Sequence, residues 1–307
     1  MNGFSEELNQ NNDKEYEEVR IPVPWGHIAG KWWGSRTVQP IIALHGWQDN
    51  CGTFDKLAPL LKEKGHSLLC LDLPGHGFSS HLPPGHNYYL WWDGIHYLRR
   101  IVKDFKWKNI EVIGHSLGGG IAFLYAATYP DEIKRYISID IASPSVRDVK
   151  KSCDMLGSAV DKFLSYESMT LDQMPCYGYD EMVDVCYSAY KGTVSREGCE
   201  ILLKRGMKPA TDRDGYWFTR DPRLKMALLG FLSLEQVLEM SRRIKCEVLN
   251  IRAKSGLKFD VPEHYDLILN EIDRGAKKLE THLVEGTHHL HLNDPEPIVD
   301  IIHNFLL

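Results

Sequence analysis

Short apolar runs separated by helix-length amphipathic stretches limit this chain more than any other feature. IIALHG, HSLLCLD, NIEVIGHS, RYISIDIA, CEVLNIRA and LETHLVEG recur through the 307 residues. Uninterrupted runs of this length belong to strands covered on both faces, and helices between them are the connections that parallel strands require. The spacing predicts helices over Phe54 to Lys64, Asp93 to Phe105, Leu117 to Tyr129, Val261 to Arg274 and Pro295 to Leu306. Before them, EYEEVRIPVP and HIAGKWWG flank a Pro-Trp-Gly turn and read as an antiparallel hairpin from Tyr16 to Trp33.

The alternation breaks once. Residues 145–243 are mainly helical in pattern, with no convincing buried strand, and read as a cap inserted after the sixth strand. That divides the chain into a flexible tail (1–15), an α/β core (16–144 and 244–307) and a cap (145–243). Cap aromatics and methionines, Trp217 among them, are candidates to line a pocket or to pack the cap itself.

Charge and cysteine content narrow the setting. With 36 basic and 42 acidic residues the formal charge is -6, so nucleic acid is not an expected partner. The stretch from Ile110 to Tyr129 is interrupted by Glu111, His115, Ser116 and three consecutive glycines, so stable membrane insertion is not expected. The acidic N-terminus lacks the features of a signal peptide, and seven scattered cysteines suit a reducing, cytoplasmic setting. A small-molecule substrate is the expected partner, without a cofactor.

Chemistry concentrates at three strand ends. Gly114-His115-Ser116-Leu117-Gly118 is a G-x-S-x-G pentapeptide between an apolar strand and an apolar helix, where a sharp turn holds a serine exposed and the helix N-terminus favours negative charge. Ser116 is the candidate nucleophile. His45-Gly46-Trp47 ends an earlier strand, and the amides of Trp47 and Leu117 are the candidate oxyanion donors. Gln48, His115 and Trp217 are candidate substrate contacts. In VEGTHHLHLNDPEPI, His288 follows the last strand and is the candidate general base, with His289 as runner-up and His291 structural. A metal reading of HHLH is disfavoured, because no cysteine or carboxylate accompanies it at ligand spacing.

HGWQDNCGTFDKLAPLL, LDLPGHGFSSH, GHSLGGGIAFLYAATYPDEI and VEGTHHLHLNDPEPI together resemble the serine hydrolase-like branch of the α/β hydrolases. The resemblance implies a mostly parallel eight-stranded sheet with helices on both faces, an inserted helical cap, and cofactor-free hydrolysis of an ester-like bond in a small, largely apolar substrate. It also treats Asp72 and His76 as scaffold or pocket-rim residues. Haloalkane dehalogenases and epoxide hydrolases are similar overall but carry aspartate where this chain has Ser116. The remaining readings are amide or C–C hydrolysis by the same residues, and a small-ligand receptor with little or no turnover.

The triad acid departs from the common pattern. Most α/β hydrolases place it after the seventh strand, where this chain has Lys254, Ser255 and Gly256. Asp140, at the end of RYISIDIASP, is the preferred acid; Asp260 is its rival.

Overall fold

The computed structural model describes residues 15–226, 230–257 and 261–307. The expected tail, apart from residue 15, and the rival acid Asp260 lie outside the described residues. An eight-stranded sheet runs through the molecule in the order β1-β2-β4-β3-β5-β6-β9-β10. Its members are β1 (Tyr16–Val23), β2 (Gly26–Trp33), β3 (Ile41–Leu44), β4 (Leu68–Leu71), β5 (Ile110–His115), β6 (Ile133–Ile139), β9 (Glu247–Ser255) and β10 (Lys278–Thr287). The β1–β2 and β2–β4 pairings are antiparallel and the others parallel. Strands β3, β4 and β5 are buried almost throughout, which explains why their sequences show no polar alternation.

Helices cover both faces. On one, α2 (Leu90–Asp104), α3 (Leu117–Thr128), α7 (Leu234–Ser241) and α8 (Pro262–Gly275) contribute to the larger core cluster; on the other, α1 (Leu57–Glu63) and α10 (Glu296–Leu306) pack around Phe54, Leu249 and Ile302. The expected starts at Phe54 and Asp93 shift. A 3-10 turn over Cys51–Phe54, capped by the Asn50 side chain, precedes α1. Helix α2 begins at Leu90, and the Asp93 carboxylate reaches back to accept from the Tyr89 amide at 2.7 Å, so the acidic residue caps from inside the first turn.

Between β6 and β9 the chain forms α4 (Val149–Glu167), α5 (Tyr179–Ala189), α6 (Arg196–Gly206) and then a ribbon of β7 (Met207–Pro209) and β8 (Tyr216–Phe218). The ribbon adds two three-residue strands to an insertion expected to be mainly helical without a buried strand; strands this short show no period. Trp217 on β8 is only 2% exposed, so it packs inside the protein rather than facing an opening. Among the described residues no helix is long and apolar enough to cross a membrane.

A buried ion pair fastens the insertion to the core. Arg205 of α6 donates through Nε and Nη2 to Oδ2 of Asp72 at 3.0 and 2.7 Å, while the amides of Cys51 and Phe78 hold the same carboxylate. Burial alone would raise the Asp72 pKa, but the guanidinium together with the Cys51 and Phe78 amides outweighs it and keeps the acid below its ordinary value. Removing one partner strands the other charge. Arg205→Ala is therefore expected to cost about 3–5 kcal/mol of stability in a denaturant titration, and Asp72→Asn with Arg205→Met to recover most of it; a silent single mutant would show that the pair holds nothing. Trp217→Ala is expected to cost about 3–5 kcal/mol by opening a cavity, read as a fall in melting temperature.

Candidate active site

Parallel strands end on one edge of the sheet, and the candidate residues sit at those ends. Ser116 follows β5, Asp140 follows β6, His288 follows β10, and His45-Gly46-Trp47 follow β3. That convergence is a consequence of the parallel order.

Ser116 occupies φ 50°, ψ −114°, a conformation that costs a non-glycine residue energy and is held by its neighbours. Its amide donates to Ile139 O at 3.1 Å, and the Gly118 amide donates to His45 O at 3.0 Å, drawing the β3 loop against the turn. A Cβ on Gly118 would fall 2.0 Å from the Leu44 carbonyl oxygen, so only glycine permits this approach. With the amides on either side engaged, the Leu117 N–H has no acceptor among the described residues. The Trp47 amide is in the same position: Gln48 N–H donates to His76 Nε2 at 3.2 Å and Asp49 N–H to Gly46 O at 3.2 Å, while the Trp47 N–H just before them has no acceptor among the described residues.

His288 is 3% exposed, and its Nδ1–H donates to Asp140 Oδ2 at 2.6 Å. The other Asp140 oxygen accepts from the Ala253 amide at 2.8 Å, and the Asp140 amide donates to Ile251 O at 2.7 Å, so the carboxylate is fixed by the neighbouring strand β9. Gly256 explains the departure from the common pattern. A Cβ there would lie 2.3 Å from Asp140 Oδ2, so the carboxylate fills the space that a side chain after β9 would otherwise take. Burial presses the His288 pKa below 6.5; the Asp140 hydrogen bond opposes that shift, and neighbouring His289 adds to it.

The other histidines separate cleanly. His289 turns its Nε2 to Asp49 Oδ2 at 3.2 Å, and His291 Nε2 meets Thr53 Oγ1 at 2.8 Å. His115, expected to meet a substrate, is instead fully enclosed: its Nε2–H donates to the His288 carbonyl at 2.9 Å and its ring lies 4.5 Å from the His288 ring. Burial, with His288 next, pushes its pKa down to about 3, so it is neutral. The strand is buried on both faces, so the sequence carries no sign of which way this side chain points. His76 is also neutral, driven to about 3 by burial, and its role is to hold the Gln48 turn at φ 64°. Trp47 is half exposed, and its indole donates to Leu224 O at 2.9 Å, joining the oxyanion-loop candidate to the insertion.

Asp49 is the residue that sequence reasoning passed over. Its Oδ1 accepts from Tyr190 at 2.6 Å and its Oδ2 from His289; burial would raise its pKa, but His289 and His115 outweigh that and hold the acid well below its ordinary range. Asp49, His115 and His289 bring ligand-type atoms within 4.8 Å of one another. The Asp49–His289 and Asp49–Tyr190 hydrogen bonds already use that carboxylate, so the group reads as a polar brace beneath the His288 loop. The only signal was Asp49 itself, inside the HGWQDN motif.

The strained serine turn on an eight-stranded, mostly parallel sheet defines the α/β-hydrolase class, and a sequence profile of the alpha/beta hydrolase fold matches residues 39–166. A probable serine hydrolase of Drosophila melanogaster is 48% identical over 99% of this chain and 92% of its own length. A serine hydrolase-like protein of Danio rerio is 33% identical over 94% of this chain and 88% of its own. The chain belongs to the serine hydrolase-like family of the α/β hydrolases and is a hydrolase. A hypothetical protein of Pseudomonas aeruginosa superposes with a TM-score of 0.81 at 30% identity over 94% of this chain and 99% of its own. The thioesterase domain of the curacin biosynthetic pathway shares the fold, with a TM-score of 0.78 at 21% identity over 95% of this chain and 100% of its own.

The Gly256 geometry has a direct consequence. Gly256→Ala should displace the Asp140 carboxylate and lengthen or break its bond to His288 while leaving the sheet intact, as read from a crystal structure of the variant; an unmoved carboxylate would mean that the strand end yields instead.

Proposed function

We propose that the protein cleaves an ester-like bond of a small substrate by a two-step acyl-enzyme route. The observation that carries this reading is the 2.6 Å His288–Asp140 bond beside a serine in a strained strand-to-helix turn. Ser116 Oγ attacks the carbonyl carbon while His288 Nε2 takes its proton. Asp140 fixes the tautomer and stabilises the imidazolium as it forms. The unengaged amides of Leu117 and Trp47 receive the oxygen that gains charge. The imidazolium protonates the leaving alcohol, and water activated by the same histidine hydrolyses the acyl-enzyme. An apolar cavity of about 10 Å³ lies against Leu117, walled by Leu73, His76, Tyr88 and Ile121. It is no larger than a water-sized group needs and its walls all come from residues 73–121, so an acyl chain enters when those core side chains give way. Seven free cysteines agree with action in a reducing, cytoplasmic compartment.

A fluorophosphonate probe should label the wild-type protein at Ser116 and leave Ser116→Ala unlabelled. An inert Ser116 would shift the reading to a ligand receptor on the same scaffold. Toward a model ester, Ser116→Ala and His288→Ala should each lower kcat by about a thousandfold or more, and His289→Ala by much less. Asp140→Asn should approach the same loss, whereas Asp260→Asn should be nearly silent; the reverse would move the acid to Asp260.

The pH profile follows from the neutral form being the base. Since the folded His288 pKa is depressed, kcat/KM should rise with pH through an apparent pKa below 6.5 and fall on the acid side as the imidazole is protonated. A rate that falls as the pH rises from about 5 to 8 would contradict a base that acts in its neutral form.

A further inference from the structure

Three arginines of the insertion lie against the core, and they differ in one respect. Arg205 is paired with Asp72, and Arg223 donates to Asp221 at 2.7 Å. Arg220, between them in sequence, has no ion pair among the described residues. Its Nε is buried without a hydrogen-bond partner, and its guanidinium carbon lies 4.0 Å from the centre of the Phe218 ring, which supports the planar group from one side. Lys225 also lacks an ion pair among the described residues and lies 5.3 Å from the Tyr166 ring.

The charge of Arg220 is felt at Lys225. Burial lowers the pKa of Arg220, and burial followed by the charge of Arg220 lowers that of Lys225. Tyr190 and Asp49, which brace the His288 loop, oppose that burial by favouring the charged guanidinium of Arg220. Their neighbourhood to the proposed chemistry is fixed by the backbone. The Asp221 amide donates to Gly75 O at 2.8 Å, one residue from His76, and Leu224 O receives the Trp47 indole. The segment carrying Arg220 and Lys225 therefore lies on the loop that offers the Trp47 amide.

An arginine whose buried Nε lacks a hydrogen-bond partner, and which forms no ion pair among the described residues, is costly to keep unless a ligand supplies the missing acceptor. We propose that Arg220, assisted by Lys225, binds a carboxylate carried by the substrate on its acyl chain, away from the scissile bond. The guanidinium presents a planar fork that matches a carboxylate through two hydrogen bonds, and Lys225 adds a point charge. This rests on the proposed ester hydrolysis at Ser116 and narrows its substrate class from small esters to half-esters of dicarboxylic acids. The apolar wall near Leu117 then serves the methylenes between the two ends.

The test compares two esters that differ in one charged group, mono-4-nitrophenyl glutarate and 4-nitrophenyl pentanoate. Arg220→Gln is expected to lower kcat/KM for the glutarate by about tenfold or more and leave the pentanoate within about twofold. Arg220→Lys should retain part of the preference. Because the native guanidinium is unpaired, Arg220→Gln should melt at the same temperature as the wild type or higher. Equal losses on both esters, no loss on either, or a marked drop in melting temperature would overturn the assignment in favour of a packing role. If neither ester is turned over and Ser116 resists the probe, the hydrolytic reading fails separately. Glutarate titrated into the wild-type protein by calorimetry then decides for Arg220: binding that disappears in Arg220→Gln supports the anion site, and no binding overturns it.

Discussion

One hydrogen bond, from His288 Nδ1 to Asp140 Oδ2, depends on the whole sheet and gives the sheet its chemical meaning. Its partners are 148 residues apart and leave the ends of β10 and β6, with β9 between them. The bond can span that strand because β9 supplies an amide to the carboxylate and then a glycine where a side chain would obstruct it. Moving an acid from one strand end to another thus takes two coordinated features: a carboxylate after β6 and an empty position after β9. A single substitution at either place would produce a clash or a missing partner.

Neutrality of the buried imidazoles is the second constraint. His76, His115 and His291 are all held below their ordinary pKa by burial. A charged imidazole at any of these positions would repel the imidazolium that His288 forms in the proposed reaction. Each is instead occupied as a neutral donor or acceptor: His115 on the His288 carbonyl, His76 on the Gln48 amide, His291 on Thr53. Asp140 and Asp49 are the carboxylates of this neighbourhood, and the second is tied through Tyr190 to the insertion. The seat of the insertion on the core and the orientation of the His288 loop therefore share the Asp49 carboxylate.

What the sequence made legible follows from distance along the chain. The sheet, the helices on its faces and the serine turn depend on patterns within about twenty residues, and these could be read. Asp140 could be singled out because it directly ends an apolar run before the pattern breaks. The enclosure of His115, the Asp49–Tyr190 contact and the Arg205–Asp72 pair could not, since each depends on a partner more than 130 residues away or on the direction of a side chain in a strand buried on both faces. The ribbon of β7 and β8 was invisible for a different reason, because three residues define no period. Trp217 had the composition of a pocket residue and turned out to be enclosed, which aromatic content alone cannot distinguish.

The arginines of the insertion separate structure from recognition by the same physical criterion. Arg205 and Arg223 are saturated with acceptors, so the protein already supplies what their charge requires. Arg220 is held against an aromatic face with its Nε enclosed and unpaired, while its chain neighbours on both sides are anchored by backbone bonds to Gly206 and Gly75. A flexible surface arginine would escape to water; this one has its backbone fixed and its stem buried. The unsatisfied Nε costs the fold, whereas a ligand that arrives with a negative charge finds the orientation already set. Pre-organisation of this kind lowers the cost of binding and ties the choice of substrate to the loop bearing the Trp47 amide.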